Sequence, residues 1–291
     1  MCTNRLTAFL PRSLTGSRFV LSAVCLLACV ATASVQADNW TSGHGDIGVH
    51  YPGSGAEFEM EVHLHSGAMV SGSALPADDH YAPSAITVVV PNSANLKAIN
   101  TGSGQWAGDN AGYDFVAMGD SLGVAEGGNL WVLSFNESDA NVYGTPFLGW
   151  ATEEGFAGEP FGNVTFTPYL FSSPAGGSMG VFEDDLTPLW VLLAGDTSFT
   201  GDAFEVAPEQ HVHRVLAFTQ PGLYEVGIRA TALLGGATTV IGEGVYKFQA
   251  VPEPSSIALA GLGVAGALAA GWRRRRRQAA AAKSAFAETA R

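Results

Sequence analysis

The sequence predicts an all-β protein: an antiparallel β-sandwich, Ig-like or jelly-roll-like, with an N-terminal signal helix and a C-terminal single membrane helix. Three observations predict it. Residues Glu57–His65 alternate polar and apolar side chains without a break, the pattern of a half-buried strand. Short apolar runs recur along the chain, separated by Gly, Pro, Asn and Asp clusters such as Pro52-Gly53-Ser54-Gly55 and Gln220-Pro221-Gly222. Long apolar runs lie at the two ends, each flanked by arginines.

At the first end, Arg5, Arg12 and Arg18 precede an apolar run from Phe19 to Ala33. Val35-Gln36-Ala37 follows as a small-x-small cleavage pattern, so residues 1–37 read as a secretory signal peptide, exported by the Sec machinery and cut by signal peptidase after Ala37. Leu26-Leu27-Ala28-Cys29 is a loose lipoprotein box and makes lipidation at Cys29 a minor alternative. All three cysteines (Cys2, Cys25, Cys29) lie in this segment. The extracellular body, residues 38–250, therefore has no disulfide and must be stabilised by burial.

Of the 27 acidic residues, only Glu253 and Glu288 lie outside the body; of the 14 Lys and Arg, only Lys97, Arg214, Arg229 and Lys247 lie inside it. Such a surface repels nucleic acid and anionic lipid and attracts cations. Within the body, Phe58, Met60, Val62 and Leu64 share one face of a strand, with three glutamates, His63 and His65 on the other. Further strands are expected at Ala85–Val90, Asn129–Phe135, Asn163–Leu170, Ser178–Phe182, Leu189–Leu193, His211–Phe218, Leu223–Ala230 and Val245–Gln249. Phe218–Val226 reads as a hairpin whose Pro221 presets the turn and whose Gly222 takes positive φ. No stretch shows a capped helical period, although Ser93–Ile99 suits a turn.

The seven histidines are grouped: His44-Gly45-Asp46 with His50 after it, His63-Leu64-His65, and His211-Val212-His213, with His80 in Asp78-Asp79-His80-Tyr81. A His-x-His pair on a strand turns both rings to one face, about 7 Å apart at Cα, so both can reach one ion. Imidazole with one or two carboxylates suits Zn²⁺ best, and Mn²⁺, Fe²⁺ or Ni²⁺ also fit. His44, Asp46, His63, His65, His211 and His213 are thus the candidate metal ligands. The competing reading is a polar strand face on which histidine is only one hydrophilic choice.

Catalytic signatures are missing: no His-Glu-x-x-His, Gly-x-Ser-x-Gly, Walker or dinucleotide motif occurs. Glu153-Glu154 and Asp184-Asp185 could serve a glycosidase, but solvated loop acids are the simpler reading. Asp109, Asp114, Asp184 and Asp185 match no calcium-loop spacing. Trp106 and Trp150 could stack on sugar, whereas Trp131 and Trp190 lie within apolar runs and read as core.

The second end carries Pro252-Glu253-Pro254, an apolar run from Ile257 to Trp272, and five arginines, Arg273, Arg274, Arg275, Arg276 and Arg277. The run's 16 residues span about 24 Å as a helix, short against a hydrocarbon core of about 30 Å. Gly261, Gly263, Gly266 and Gly271 weaken it further, while the arginines hold the far side in the cytoplasm as a stop-transfer signal. Residues 251–277 resemble the PEP-CTERM sorting signal of Gram-negative bacteria. That resemblance implies recognition of Pro252-Glu253-Pro254 by a membrane-embedded exosortase, in organisms that usually make extracellular polysaccharide. The Ala-rich residues 278–291 extend beyond the usual stopping point and read as a cytoplasmic tail.

The body resembles the choice-of-anchor M surface-anchored domain. Gly43-His44-Gly45-Asp46-Ile47-Gly48, His63-Leu64-His65, and His211-Val212-His213 with Phe218–Val226 carry that likeness, which is loose in the middle of Trp40–Ala250. Its association with transporter substrate-binding proteins implies a ligand-receptor role and suggests a metal. Arg214, directly after the second histidine pair, departs from the expected uncharged residue and would oppose a cation. The expectation is a non-catalytic, exported ligand-binding module, transiently tethered to the membrane and then placed at the cell surface or in the matrix. The alternatives are a structural or adhesive protein associated with exopolysaccharide and, less favoured, a glycan hydrolase.

Overall fold

The computed structural model describes residues 37–98, 115–252 and 272, except 54 and 56. The signal peptide up to residue 36, Trp106, Asp109, Asp114, Glu253, Pro254, the apolar run before Trp272 and everything after it lie outside the described residues. Among the described residues no helix is long and apolar enough to cross a membrane.

The first half of the body contributes β1 (Asp38–His50), β2 (Glu59–Leu64), β3 (Met69–Val70), β4 (Ser73–Ala74), β5 (Asp79–Tyr81), β6 (Ile86–Val90), β7 (Asn95–Lys97) and β8 (Asn129–Leu133). The second half contributes β9 (Pro146–Glu154), β10 (Val164–Ser172), β11 (Met179–Phe182), β12 (Pro188–Leu192), β13 (Phe204–Val206), β14 (His211–His213), β15 (Val215–Phe218), β16 (Gly222–Leu234) and β17 (Thr238–Ala250). They form two sheets. The large one runs β13-β10-β16-β17-β6-β1-β2-β5, with β9 also paired to β1 and β14 to β9; the small one runs β12-β11-β15-β8-β7.

Three corrections to the expected fold follow. The large sheet is mixed, because β1 lies parallel to β6 and to β9, and β17 parallel to β6. The chain between these strands is long enough to return to the starting end, as parallel pairing requires. Two short helices also occur, α1 (Phe115–Ser121) and α2 (Glu137–Tyr143). The second starts where the Asn136 side chain accepts from Ser138 N–H at 2.9 Å, an N-cap. Ser93–Ile99 is a 3₁₀ turn over Asn92–Ala94 followed by β7, as far as it is described.

The third correction concerns Phe218–Val226, which is an arch between the sheets. Strand β15 pairs with β11 and β8 in the small sheet, while β16 pairs with β10 and β17 in the large one. Gly222 takes φ +137° at the turn, open to glycine and rarely to other residues. Tyr224, fully buried, donates its hydroxyl to Gln220 C=O at 2.8 Å and accepts from Gln220 N–H at 3.0 Å. This is the tyrosine corner familiar from Greek-key sandwiches. The expected continuous strand His211–Phe218 breaks at Arg214 for a related reason: β14 belongs to the large sheet and β15 to the small one.

Between the sheets lies an aromatic core. Trp150 meets Trp190 edge-on at 5.2 Å and Phe204 at 4.8 Å, while Phe218 packs on Phe248 at 5.4 Å. Trp131 and Trp190 are buried, and Trp150, a candidate sugar platform in the sequence, is buried as well. The small sheet is covered on both faces. Its Leu130 and Val132 join Phe115 and Met118 of α1, while Trp131 and Leu133 face the main core.

Candidate functional site

Strands β14, β9, β1, β2 and β5 lie side by side, and their register sets one row of residues across them. His213 stands opposite Gly149, Gly149 opposite Asp46, Asp46 opposite His63, and His63 opposite His80. Side chains alternate along a strand, so His44 joins Asp46, His65 joins His63, and His211 joins His213 on that face. Ile47, Val49, Val62, Leu64, Leu148 and Trp150 alternate to the other face and are buried in the core. The histidine face is therefore fixed by the same alternation that builds the hydrophobic core.

Six imidazoles form a nearly continuous row. Ring centroids lie 5.1 Å apart for His213–His44, 4.2 Å for His44–His65, 4.6 Å for His65–His63 and 4.3 Å for His63–His80. His211 lies 5.9 Å from His44 and 5.3 Å from His213. Phe147, stacked on His213 at 3.7 Å, walls one side. His50 is set apart, near Glu59 at 3.4 Å.

Asp46 is the buried centre of the row, 1% exposed. Its Oδ2 accepts from His65 Nε2–H at 3.0 Å. Its Oδ1 and the Nε2 of His44 are both buried, 3.7 Å apart, and neither has a hydrogen-bond partner. Two ligands on a tetrahedral ion with bonds of about 2.0–2.1 Å lie roughly 3.4 Å apart. Room for the carboxylate comes from Gly149, where a Cβ would stand 2.0 Å from Asp46 Oδ1.

Proton placement follows from the partners. Leu148 C=O can only accept, so His213 Nδ1 is the donor at 3.1 Å and its Nε2 carries the lone pair. Burial, opposing charge, lowers the His213 pKa to about 4, which keeps the ring neutral. His211 Nδ1 donates to Glu153 Oε1 at 3.0 Å, again leaving Nε2 free. Both arrangements are the outer hydrogen bonds that orient metal-ligating histidines. For His44, burial opposes protonation, but the nearby Asp46 carboxylate outweighs it and raises the pKa. Burial would raise Asp46 in turn, and the contacts to His44 and His65 override it and lower its pKa.

Of the six residues expected from sequence, His44, Asp46 and His65 offer one ligand atom each within 4.8 Å of one another, and so do His44, His211 and His213. His63 sits apart from those sets, grouping with His80 and Glu154, or with His65 and Asp78. His80, Asp78 and Glu154 are further ligand candidates that local spacing does not reveal. Glu153 and Glu154, expected as loop acids, end β9 beside the histidines. A register shift against β1 between Gly48 and His50 explains this: the extra residue lets two successive carboxylates reach one face. Asp185 does behave as a loop acid, accepting from Thr187 N–H at 2.8 Å. Arg214 does not face the histidines; it alternates away with Val212 and pairs with Glu183 at 2.7 Å.

Residues 250–276 match the family model described as the PEP-CTERM protein-sorting motif. The motif marks an exported surface protein of a Gram-negative bacterium, processed by exosortase. The match begins at Ala250, the last residue of β17, and says nothing of the family of the β body. No curated protein and no solved structure matches the chain.

Proposed function

We propose that the exported body is a non-catalytic receptor module that binds a divalent metal ion on its histidine face, with Zn²⁺ the best-suited ion. The observation that carries this reading is the pair of buried atoms His44 Nε2 and Asp46 Oδ1, which face one another at 3.7 Å, too far for a hydrogen bond. A buried polar group without a hydrogen bond costs about 1–3 kcal/mol, and the long His44–Asp46 contact offsets only part of that. An ion between them removes that cost. His211 and His213 stand ready to complete the shell, and Glu153 and Leu148 C=O hold both rings in position. Three imidazoles or two with a carboxylate suit Zn²⁺, Ni²⁺ or Co²⁺ better than the oxygen-preferring Ca²⁺ and Mg²⁺. The loose likeness to choice-of-anchor M domains supports the receptor role, and the acidic surface raises the local concentration of cations.

Metal analysis of the purified full-length chain after dialysis against zinc-buffered solution tests the proposal. Zinc retained by the wild type, with one equivalent lost in His44→Ala and in Asp46→Asn, supports it. A wild type that retains no zinc contradicts it and favours the structural, matrix-associated alternative.

A further inference from the structure

We infer that the same face carries a second divalent-cation centre, formed by His63, His80 and Glu154, so that the protein holds two ions side by side. The inference rests on the metal-binding reading above and extends it to residues outside the first centre.

His63 and His80 are direct partners in the β2–β5 register, with rings stacked at 4.3 Å and 12°. Glu154 Oε1 lies 3.8 Å from His63 Nδ1 and 3.5 Å from His80 Nε2. Glu61 Oε2 sits 3.1 Å from the other nitrogen of His80, Nδ1. A carboxylate only accepts, so Nδ1 carries a proton and Nε2 is the ring atom turned to Glu154. Nε2 and Glu154 Oε1 face one another across 3.5 Å, with room for an ion between them and His63. A cation between them satisfies both, with His63 as the third ligand. Glu61 thus does for His80 what Glu153 does for His211.

The irregularity in β9 separates the two centres. Glu153 turns to His211 and the first centre, while its neighbour Glu154 turns to His63 and His80. His65 and Asp78 lie between, Asp78 Oδ2 being 3.6 Å from His65 Nδ1 and 3.9 Å from His63 Nε2. A two-histidine, one-carboxylate set with open positions suits Zn²⁺ and also Fe²⁺, Co²⁺ or Ni²⁺. His80 is 43% exposed and Glu154 37%, against 1% for Asp46, so the outer ion exchanges faster and is held more weakly.

The test is zinc titration of the full-length chain with metal content measured at each free-zinc level, for wild type, His80→Ala, Glu154→Gln and His44→Ala. The expected result is two ions per wild-type chain, bound in two steps. His80→Ala and Glu154→Gln lose the weaker step and keep the tighter one, while His44→Ala loses the tighter one. Equal thermal midpoints in chelator show that the exposed-site variants fold. One ion per wild-type chain, unaffected by His80→Ala and Glu154→Gln but lost in His44→Ala, overturns the second centre and leaves the first standing. Two ions retained by both outer variants also overturn it. No zinc in the wild type overturns both.

Discussion

Gly149 lies directly opposite Asp46 in the β1–β9 register, and the space its missing side chain leaves is filled by the Asp46 carboxylate, 2.0 Å from where a Cβ would be. This fixes the buried charge against the edge of His213, whose Cε1 is 3.1 Å from the same point. Gly149→Ala should therefore swing the carboxylate out of the row. We expect a stability loss of about 1–3 kcal/mol from overpacking, and the tighter zinc step should weaken by at least tenfold. Isothermal titration with zinc checks this; unchanged affinity would show that Asp46 is not a ligand.

Glycine also explains what was hard to read in the sequence. Strand β2 was legible because Phe58, Met60, Val62 and Leu64 alternate with glutamates and histidines over nine residues. Strand β1 beside it, and β9 beyond β1, are not legible in the same way. They carry Gly43, Gly45, Gly48 and Gly149, a residue that strands normally avoid. Here those glycines make room: a Cβ at Gly48 would crowd Glu61, and one at Gly149 would hit Asp46. The residues that build the site thus weaken the signal of the strands that carry it. His63 was grouped with His44 because local spacing shows which rings share a face. Which rings meet depends on pairing between distant strands, and β5, only three residues long, brings His80 in from the edge.

The arch at Gln220–Tyr224 should matter for folding and not for metal. Tyr224→Phe leaves Gln220 N–H and C=O without the hydroxyl that serves both. The expected loss is about 1–3 kcal/mol, a fall of roughly 2–12 °C in Tm for a body of this size. Zinc content should stay at the wild-type value. A simultaneous loss of zinc would mean that the arch and the histidine face are coupled.

Acid should destabilise the metal-free body through His213. Its folded pKa of about 4 lies below the ordinary value of 6.5, so in that window the unfolded chain binds a proton that the folded chain does not. Stability contributed by neutral His213 is present above pH 6.5 and is lost as pH falls toward 4. His213→Asn keeps a donor for Leu148 C=O and removes the titration. Denaturant midpoints measured in chelator should fall more steeply for wild type than for this variant between pH 6.5 and 4. Parallel curves would contradict the assignment.

The tail should act independently of the body. Glu253→Ala in the Pro252-Glu253-Pro254 motif is expected to leave the chain in the membrane fraction with its C-terminal peptide intact, while wild type reaches the surface. Fractionation with mass measurement of the C-terminus checks this. Equal release of both would separate the motif from processing.

Zinc K-edge X-ray absorption of the full-length chain loaded with one equivalent of zinc decides whether the histidine face holds the ion. Binding there gives a shell of nitrogen and oxygen at about 2.0–2.1 Å, with the outer scattering of two or more imidazoles, weakened in His44→Ala and in His213→Asn. A spectrum of hydrated zinc without imidazole scattering, or one unchanged in both variants, would contradict it.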